Sequence, residues 1–282
     1  MPVVRSEHLD SGITRISLDR PAVHNAIDQS VIDELDAALT AAEADPELRV
    51  VILRGNGTSF SAGHDLALKP REEGGLSRPP EAEERWRYER ASFFQKTMRL
   101  KTFPKPTIAE VRGHCLAAGL VYALACDLVF ADPTARFGDP VLRMGALGAE
   151  VLLLPWAIGV RRSKQMLLTG RPIDAGTAAA WGLVNAVIPA DELEGAVLQV
   201  ARDIAAVPPF AAELMKRSLD AVSDEMGMQR ALDHHFDLHV LAHATRASME
   251  IMNSPDRPTQ ASDFVKRRDA GFEKRGGKTG GV

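Results

Sequence analysis

Three observations predict an α/β fold with a helical C-terminal part. Short β-rich runs alternate with helical patterns through the first half of the chain. Several of those runs are continuously apolar, as strands covered on both faces are. Beyond Pro155 the helical patterns follow one another almost without a strand between them. Taken in order, GITRISLD is the first β-rich run. The segment SVIDELDAALTAAEAD then places Val31, Leu35, Ala38, Leu39 and Ala42 on one helical face, with Asp28 or Ser30 positioned to cap it. RVVILRG, Arg49 to Gly55, reads as a doubly buried strand, and TIAEVRG and DLVFAD repeat its character. Between these last two, the small and apolar residues from Ala117 to Ala125 form a helix entered through a tight turn, where Gly113 and Gly119 allow close backbone approach and the helix N-terminus is left available to a ligand. The stretch Lys69 to Ala91 is polar and rich in Glu, Arg, Pro and Gly; its first half reads as a mobile loop of lid-like length and its second as a charged helix. After Pro155, LVNAVIP is the remaining strand. Helices are expected at Ala178–Trp181, Leu193–Ala206, Pro209–Val222, around Gln229–Met249 and near Ser262–Arg268, ahead of a disordered tail, KRGGKTGGV.

Bulk properties narrow the function classes. A formal net charge of -4, from 34 basic and 38 acidic residues, leaves no basic stripe for nucleic acid, and no apolar run approaches membrane-spanning length. The N-terminus MPVVRSEHLD has no secretory pattern, and Cys115 and Cys126 do not make a disulfide framework, so the cytoplasm is the expected compartment. Cys115, among small residues, reads as a buried small hydrophobe.

A series of separated motifs carries a resemblance. In order they are RPAVHNAID, FSAGHDL at Phe60 to Leu66, KPTIAEVRGHCLAAG, ACDLVFAD, ARFGDP, LLTGRPIDAGTAAAWGLVNAVIP and DFVKRRDAGFEKR. With them the chain, from about Gly12 to Phe272, resembles the crotonase (enoyl-CoA hydratase/isomerase) superfamily. The resemblance implies an α/β, crotonase-like spiral of ββα repeats over residues 1–205, carrying an acyl-CoA site. A helical C-terminal trimerisation region over residues 206–282 would give a homotrimer or homohexamer. It implies coenzyme A as part of the substrate, no permanently bound cofactor and no metal. It also implies that the thioester carbonyl is polarised by the backbone N–H groups of His64 and Ala118, where glycine and alanine let the backbone come close enough to stabilise an oxyanion. Asn25, Ala26, Ala62, Asp65 and Leu66 would follow the adenine and pantetheine path. Lys266, Arg267 or Lys274 would lie near phosphate and Phe272 near the adenine, these C-terminal groups being supplied by a neighbouring subunit. The two glutamates of the family's hydratases fall, on an ungapped overlay, at Val121 and Val141, which together with Leu142 would line the substrate pocket and move no proton. Ala117 and Ala118 stand where many relatives have glycines.

Another acid must then do the work. Glu150 is the sole ionisable side chain between Met144 and Val160, among Leu147, Val151, Leu152, Leu153 and Trp156, where desolvation would raise its pKa toward neutrality. The resemblance points the same way, because three branches of the family place an essential aspartate at the position of Ala149, one residue earlier. The other role open to Glu150 is structural, as a cap for the following helix or a partner of Arg143. Asp139 in FGDP reads first as a turn former and second as an acid, the His64 side chain is a further candidate base, and Tyr88 could enter from the lid. His235, His239 and His243 recur at four-residue spacing on one helical face. Two such histidines could bind zinc, but with no HExxH motif and no obvious carboxylate of matching geometry, and with Phe236, Leu238 and Val240 beside them, the row reads as a packed interface helix. The chain is therefore expected to be an acyl-CoA enzyme that works through a thioester enolate or oxyanion with Glu150 as acid/base and is a poor hydratase of simple enoyl-CoA, the alternative being a non-catalytic acyl-CoA-binding or oligomer-partner protein.

Overall fold

The computed structural model describes residues 2–67, 73, 75, 76, 79, 81–252 and 254–273. Most of the loop half of the Lys69–Ala91 stretch, Lys274 and the Gly/Lys tail lie outside them. The strands are β1 (Val4–His8), β2 (Ile13–Leu18), β3 (Val50–Gly55), β4 (Thr107–Val111), β5 (His114–Leu116), β6 (Leu128–Ala131), β7 (Arg136–Gly138), β8 (Ile173–Asp174) and β9 (Ala186–Val187). Six of them form one sheet in the order β1-β2-β3-β4-β6-β9, parallel throughout except for the β1/β2 pair. The small sheet β5-β7-β8 runs beside it and is extended by a bridge from Ser61 to Cys115.

The helices are α1 (Gln29–Ala44), α2 (Ala82–Glu89), α3 (Gln95–Lys101), α4 (Ala118–Ala125), α5 (Leu154–Thr169), α6 (Ala175–Trp181), α7 (Leu193–Ala205), α8 (Pro209–Glu225), α9 (Met228–His243), α10 (Arg246–Met252) and α11 (Ala261–Glu273). The continuously apolar strands are explained by cover on both faces. Ile16, Leu18, Val51, Leu53, Ala109 and Val111 face the larger core with α1 and α4, while Ile13, Val50, Ile52, Ile108 and Phe130 face Leu193, Val197 and Ala201 of α7. On α1 the expected face is buried at Val31, Leu35, Leu39 and Ala42, with Ile32 added and Ala38 partly covered.

Asp28, not Ser30, caps α1: its Oδ1 accepts from the Val31 N–H at 3.1 Å, and its Oδ2 lies 3.1 Å from Nη2 of Arg20. Asp28→Ala is expected to destabilise the protein by more than the about 1 kcal/mol of a lost cap, because Arg20 also loses a buried partner. Asp28→Asn, which keeps the cap and drops the charge, should fall between the two in thermal unfolding.

Where one long helix was expected from Gln229 to Met249, the chain breaks at Ala244 and Thr245, and the Thr245 hydroxyl caps the new helix by accepting from the Ser248 N–H. Met228, Leu232, Phe236 and Val240 of α9 enter the larger core itself, so this part of the helical region is continuous with the α/β part. On α8, by contrast, Phe210, Leu214, Met215, Leu219 and Val222 are exposed, as is Met226 just after it. Among the described residues no helix is long and apolar enough to cross a membrane.

Candidate active site

A cavity of about 710 Å³ opens between the turn at Ala62–Leu66, the start of α4, the Pro140–Glu150 segment, α9 and α11. Its walls are mainly apolar, and its polar groups are few enough to follow one by one.

The two turns expected to supply backbone donors are packed against each other. The chain enters α4 through Ala117, held at φ 48 and ψ -120, a left-handed conformation rarely taken by alanine. Ala118 opens the helix, so its N–H is one of the first-turn donors with no intrahelical acceptor. On the other side, Ile27 pairs with the flanking residues of His64, donating its N–H to Gly63 O and accepting at its carbonyl from Asp65 N. No backbone hydrogen bond from the His64 N–H is found among the described residues. Gly63, at φ +91, seats the two turns: a Cβ there would lie 2.8 Å from Leu116 O, 2.9 Å from Ala117 Cβ and 3.5 Å from Ala118 N. Ala62, His64, Ala117 and Ala118 all line the cavity.

Glu150 reaches the cavity from a clamped turn. Asp139 accepts from Val141 N at 3.0 Å and from Ala149 N at 2.8 Å, and His235 Nε2 lies 2.9 Å from Ala149 O. With Ala149 held through both its amide and its carbonyl, the Glu150 side chain is directed inward, 2% exposed, with Oε2 3.3 Å from His64 Nε2. Its other oxygen, Oε1, has no hydrogen-bond partner among the described residues. Glu150 is not a helix cap, since α5 begins at Leu154, and Arg143 pairs instead with Asp269 at 3.0 Å. The expected rise in its pKa is also overturned. Burial pushes the carboxyl up, but the charge and hydrogen bond of His64, with His239 behind it, outweigh burial and hold it at about 2.

The remaining expectations divide. The His64 side chain does not point away from the site; it meets Glu150 and packs on Phe93 with ring centroids 4.5 Å apart. Asp139 is buried with each carboxylate oxygen on a backbone amide, and burial raises its pKa, so its part is to fix the turn. Tyr88 donates to Gln29 Oε1 at 2.7 Å rather than entering from a lid. Cys115 is fully buried, as expected. Ala26, Asp65, Leu66, Val141 and Lys266 line the cavity. Asp65 is tied to Arg20 at 3.1 Å and to Ala67 N at 3.0 Å.

Other placements differ from expectation. Asn25 does not line the cavity: in a left-handed conformation it accepts from Arg20 N and donates to Asn56 O and Ser59 O, which shapes the RPAVHNA turn from within. Val121 lies one turn inside α4, where its side chain joins the hydrophobic core. Leu142 is half-buried outside the cavity lining because the short 3-10 turn Val141–Met144 presents Val141 and Met144 instead. Phe272 lies under the Arg143 guanidinium, 4.8 Å from its centroid, and is not part of the lining. Lys266 reaches the cavity of its own chain, because α11 folds back across the opening, and Arg267 is tied to Asp256 O.

Sequence reasoning missed a second polar group in the same wall. Glu89 at the end of α2 meets His239 and His243 of α9: His239 Nε2 is 3.3 Å from Glu89 Oε2 and 3.2 Å from His243 Nε2. The missing carboxylate beside the histidine row therefore exists, supplied by a helix far away in sequence. Burial pushes His239 down, but Glu89 reverses this and raises it, whereas burial and the neighbouring His239 push His243 down to about 4.

Known proteins share this architecture. Residues 8–275 match the model of the enoyl-CoA hydratase/isomerase family. A putative enoyl-CoA hydratase of Mycobacterium tuberculosis, EchA13, is 43% identical over 256 residues, covering 86% of this chain and 80% of that protein. A putative enoyl-CoA hydratase of Thermus thermophilus is 38% identical over 232 residues, covering 81% of this chain and 87% of that protein. The crystal structure of an enoyl-CoA hydratase/isomerase from Xanthobacter autotrophicus Py2 superposes with a TM-score of 0.85 at 36% identity, over 96% of this chain and 98% of that one. With the strand order, the paired turns and the cavity between them, these likenesses show that the chain belongs to the enoyl-CoA hydratase/isomerase family, within the crotonase superfamily.

Proposed function

We propose that this protein transfers a proton next to the thioester carbonyl of an acyl-CoA, with Glu150 as the group that carries it. The observation supporting this most directly is the Glu150 carboxylate, buried among apolar walls and held ionised beside His64. In this reading the thioester oxygen sits between the His64 and Ala118 N–H groups, which stabilise the negative charge that develops when a C–H bond next to the carbonyl breaks. Glu150 starts as a carboxylate and takes that proton. The electrons of the broken bond delocalise onto the thioester oxygen as an enolate, and the proton, now on neutral Glu150, returns to a different carbon of the same conjugated system. The outcome is a double-bond shift that needs coenzyme A only as part of the substrate. Hydration of a simple enoyl-CoA normally calls on two carboxyl groups, and the other two in this wall, Asp65 and Glu89, are engaged with Arg20 and with His239.

Incubating the protein with saturated and unsaturated acyl-CoA thioesters in D₂O, with mass detection, tests this. Solvent deuterium at the carbon next to the carbonyl, with migration of the double bond where one is present, is the expected result. Binding without any exchange would favour a non-catalytic acyl-CoA-binding protein, and rapid conversion of an unsaturated thioester to its hydrate, a mass gain of one D₂O, would overturn the single-acid reading.

The assembly reading, a homotrimer or homohexamer, draws support from the exposed apolar residues along α8, of the kind that mark a contact surface. Leu219→Asp is expected to shift the protein toward smaller species in light scattering. A parent protein that is monomeric at all concentrations would remove the basis for this expectation.

A further inference from the structure

The polar group of Glu89, His239 and His243 in the cavity wall has the composition of a metal site. Glu89 and His239 are 4% and 5% exposed, and His243 is partly buried beside them; the three offer one carboxylate oxygen and two imidazole nitrogens within 4.8 Å of one another. Zinc bonds of 2.0–2.2 Å in a tetrahedron set neighbouring ligand atoms about 3.3 Å apart. The separations here are 3.2 Å between the two Nε2 atoms and 3.3 Å from His239 Nε2 to Glu89 Oε2, while His243 Nε2 lies 4.0 Å from Glu89 Oε1, so the carboxylate or the His243 ring would close in by under 1 Å on binding.

Among the described residues these groups leave buried polar atoms, Glu89 Oε2 and the Nδ1 atoms of His239 and His243, without a hydrogen bond of good geometry. Glu89 Oε2 is approached by His239 at 3.3 Å, and the two imidazoles meet through one Nε2···Nε2 contact of 3.2 Å. Arg85 and His243 each stand 4.0 Å from Oε1 of Glu89, which offsets part of the buried charge and leaves Oε2 to His239. The fold also holds the group rigidly: His239 and His243 are one helical turn apart on α9, α2 packs against α9, and Trp86 of α2 donates to Asp237 of α9 at 2.9 Å.

We propose that Glu89, His239 and His243 bind one divalent transition-metal ion of the zinc class, with a fourth coordination position open to the cavity. Two imidazoles and one carboxylate are the ligand set such ions take when a position is kept for water or substrate. All three residues line the cavity that also holds Glu150, so the ion would face an oxygen-bearing group on whatever occupies it. The proposal stands independently of the proton-transfer reading, because its test reads metal rather than turnover.

The test uses full-length protein stripped with a chelator, then titrated with Zn²⁺ by calorimetry and with Co²⁺ by visible absorption. The expected result is one ion per chain and the intense visible bands of a low-coordinate cobalt site. Glu89→Gln and His243→Ala should each weaken Zn²⁺ binding by at least about tenfold, with the fold retained by circular dichroism, since first-sphere losses should match or exceed those found for outer-shell partners. His234→Ala, which removes an exposed histidine from the same helix, should leave binding unchanged. The proposal is overturned if the parent protein takes up no ion, or if Glu89→Gln and His243→Ala bind as the parent does. Should both variants unfold, uptake of one Zn²⁺ by the parent with a rise in melting temperature and a tetrahedral cobalt spectrum supports the site, and an octahedral spectrum overturns it.

Discussion

Glu150→Gln is expected to lower turnover by on the order of 10²-fold or more while leaving the affinity for the CoA thioester near that of the parent. Glutamine keeps the shape and one acceptor oxygen, so the side chain still reaches toward His64 and the clamped Ala149–Glu150 turn is undisturbed. What it lacks is the ability to hold a proton between its departure from one carbon and its return to another. A purely structural Glu150 would give the opposite pattern, with turnover retained and a lower melting temperature, so measuring both quantities on one variant decides the role. The acid limb of stability gives a second check. Glu150 titrates at about 2 in the fold against 4.5 for an ordinary glutamate, so its contribution is complete above about pH 4.5 and is lost as the pH falls toward 2. In Glu150→Gln that part of the acid dependence should be missing. A variant with the parent's turnover would exclude Glu150 as the proton carrier.

The other large effect is expected at Gly63, where Gly63→Ala should cost about 10²–10³ in turnover, the amount associated with losing one oxyanion donor, and should lower the melting temperature as well. Two penalties act together. The backbone φ of +91 lies where side chains are rarely tolerated, and the new Cβ would come within 2.8 Å of Leu116 O and 2.9 Å of Ala117 Cβ. Since neither contact is the free end of a flexible side chain, the turn carrying the His64 amide has to move away from the start of α4. Gly182→Ala separates the two penalties: φ there is +81, but nothing lies within 4 Å of the added carbon. That variant should lose stability with turnover unchanged. If Gly63→Ala retained full activity, the His64 and Ala118 amides could not be acting as a pair.

The site was legible in the sequence where one short segment carries the chemistry. Ala62, His64 and Ala118 belong to compact motifs, and each lines the cavity as the family resemblance implies. Glu150 stood out because no other charge interrupts its apolar surroundings, a local fact that needs no tertiary knowledge. Its ionisation did not follow from the same fact. Desolvation was visible in the neighbouring residues, whereas the opposing imidazole comes from His64, 86 positions away, and decides the sign. Asn25 was misplaced for a related reason. The motif located it correctly beside the site, but only the folded turn shows its amide spent on three backbone partners.

By itself the sequence determined the α/β order of the chain, its membership of a family, the strands with both faces buried, and the two turns that frame the cavity. Each depends on periodicity, turn chemistry or motif spacing, which are properties of neighbouring residues. The tertiary structure alone decided that Val121 points into the core, that Asp139 and His235 hold the turn from which Glu150 projects, and that α2 brings Glu89 to the histidines of α9. These depend on which surfaces meet across long stretches of chain. Burial and charge at a contact are set by both partners together, and neither partner's own sequence records the other.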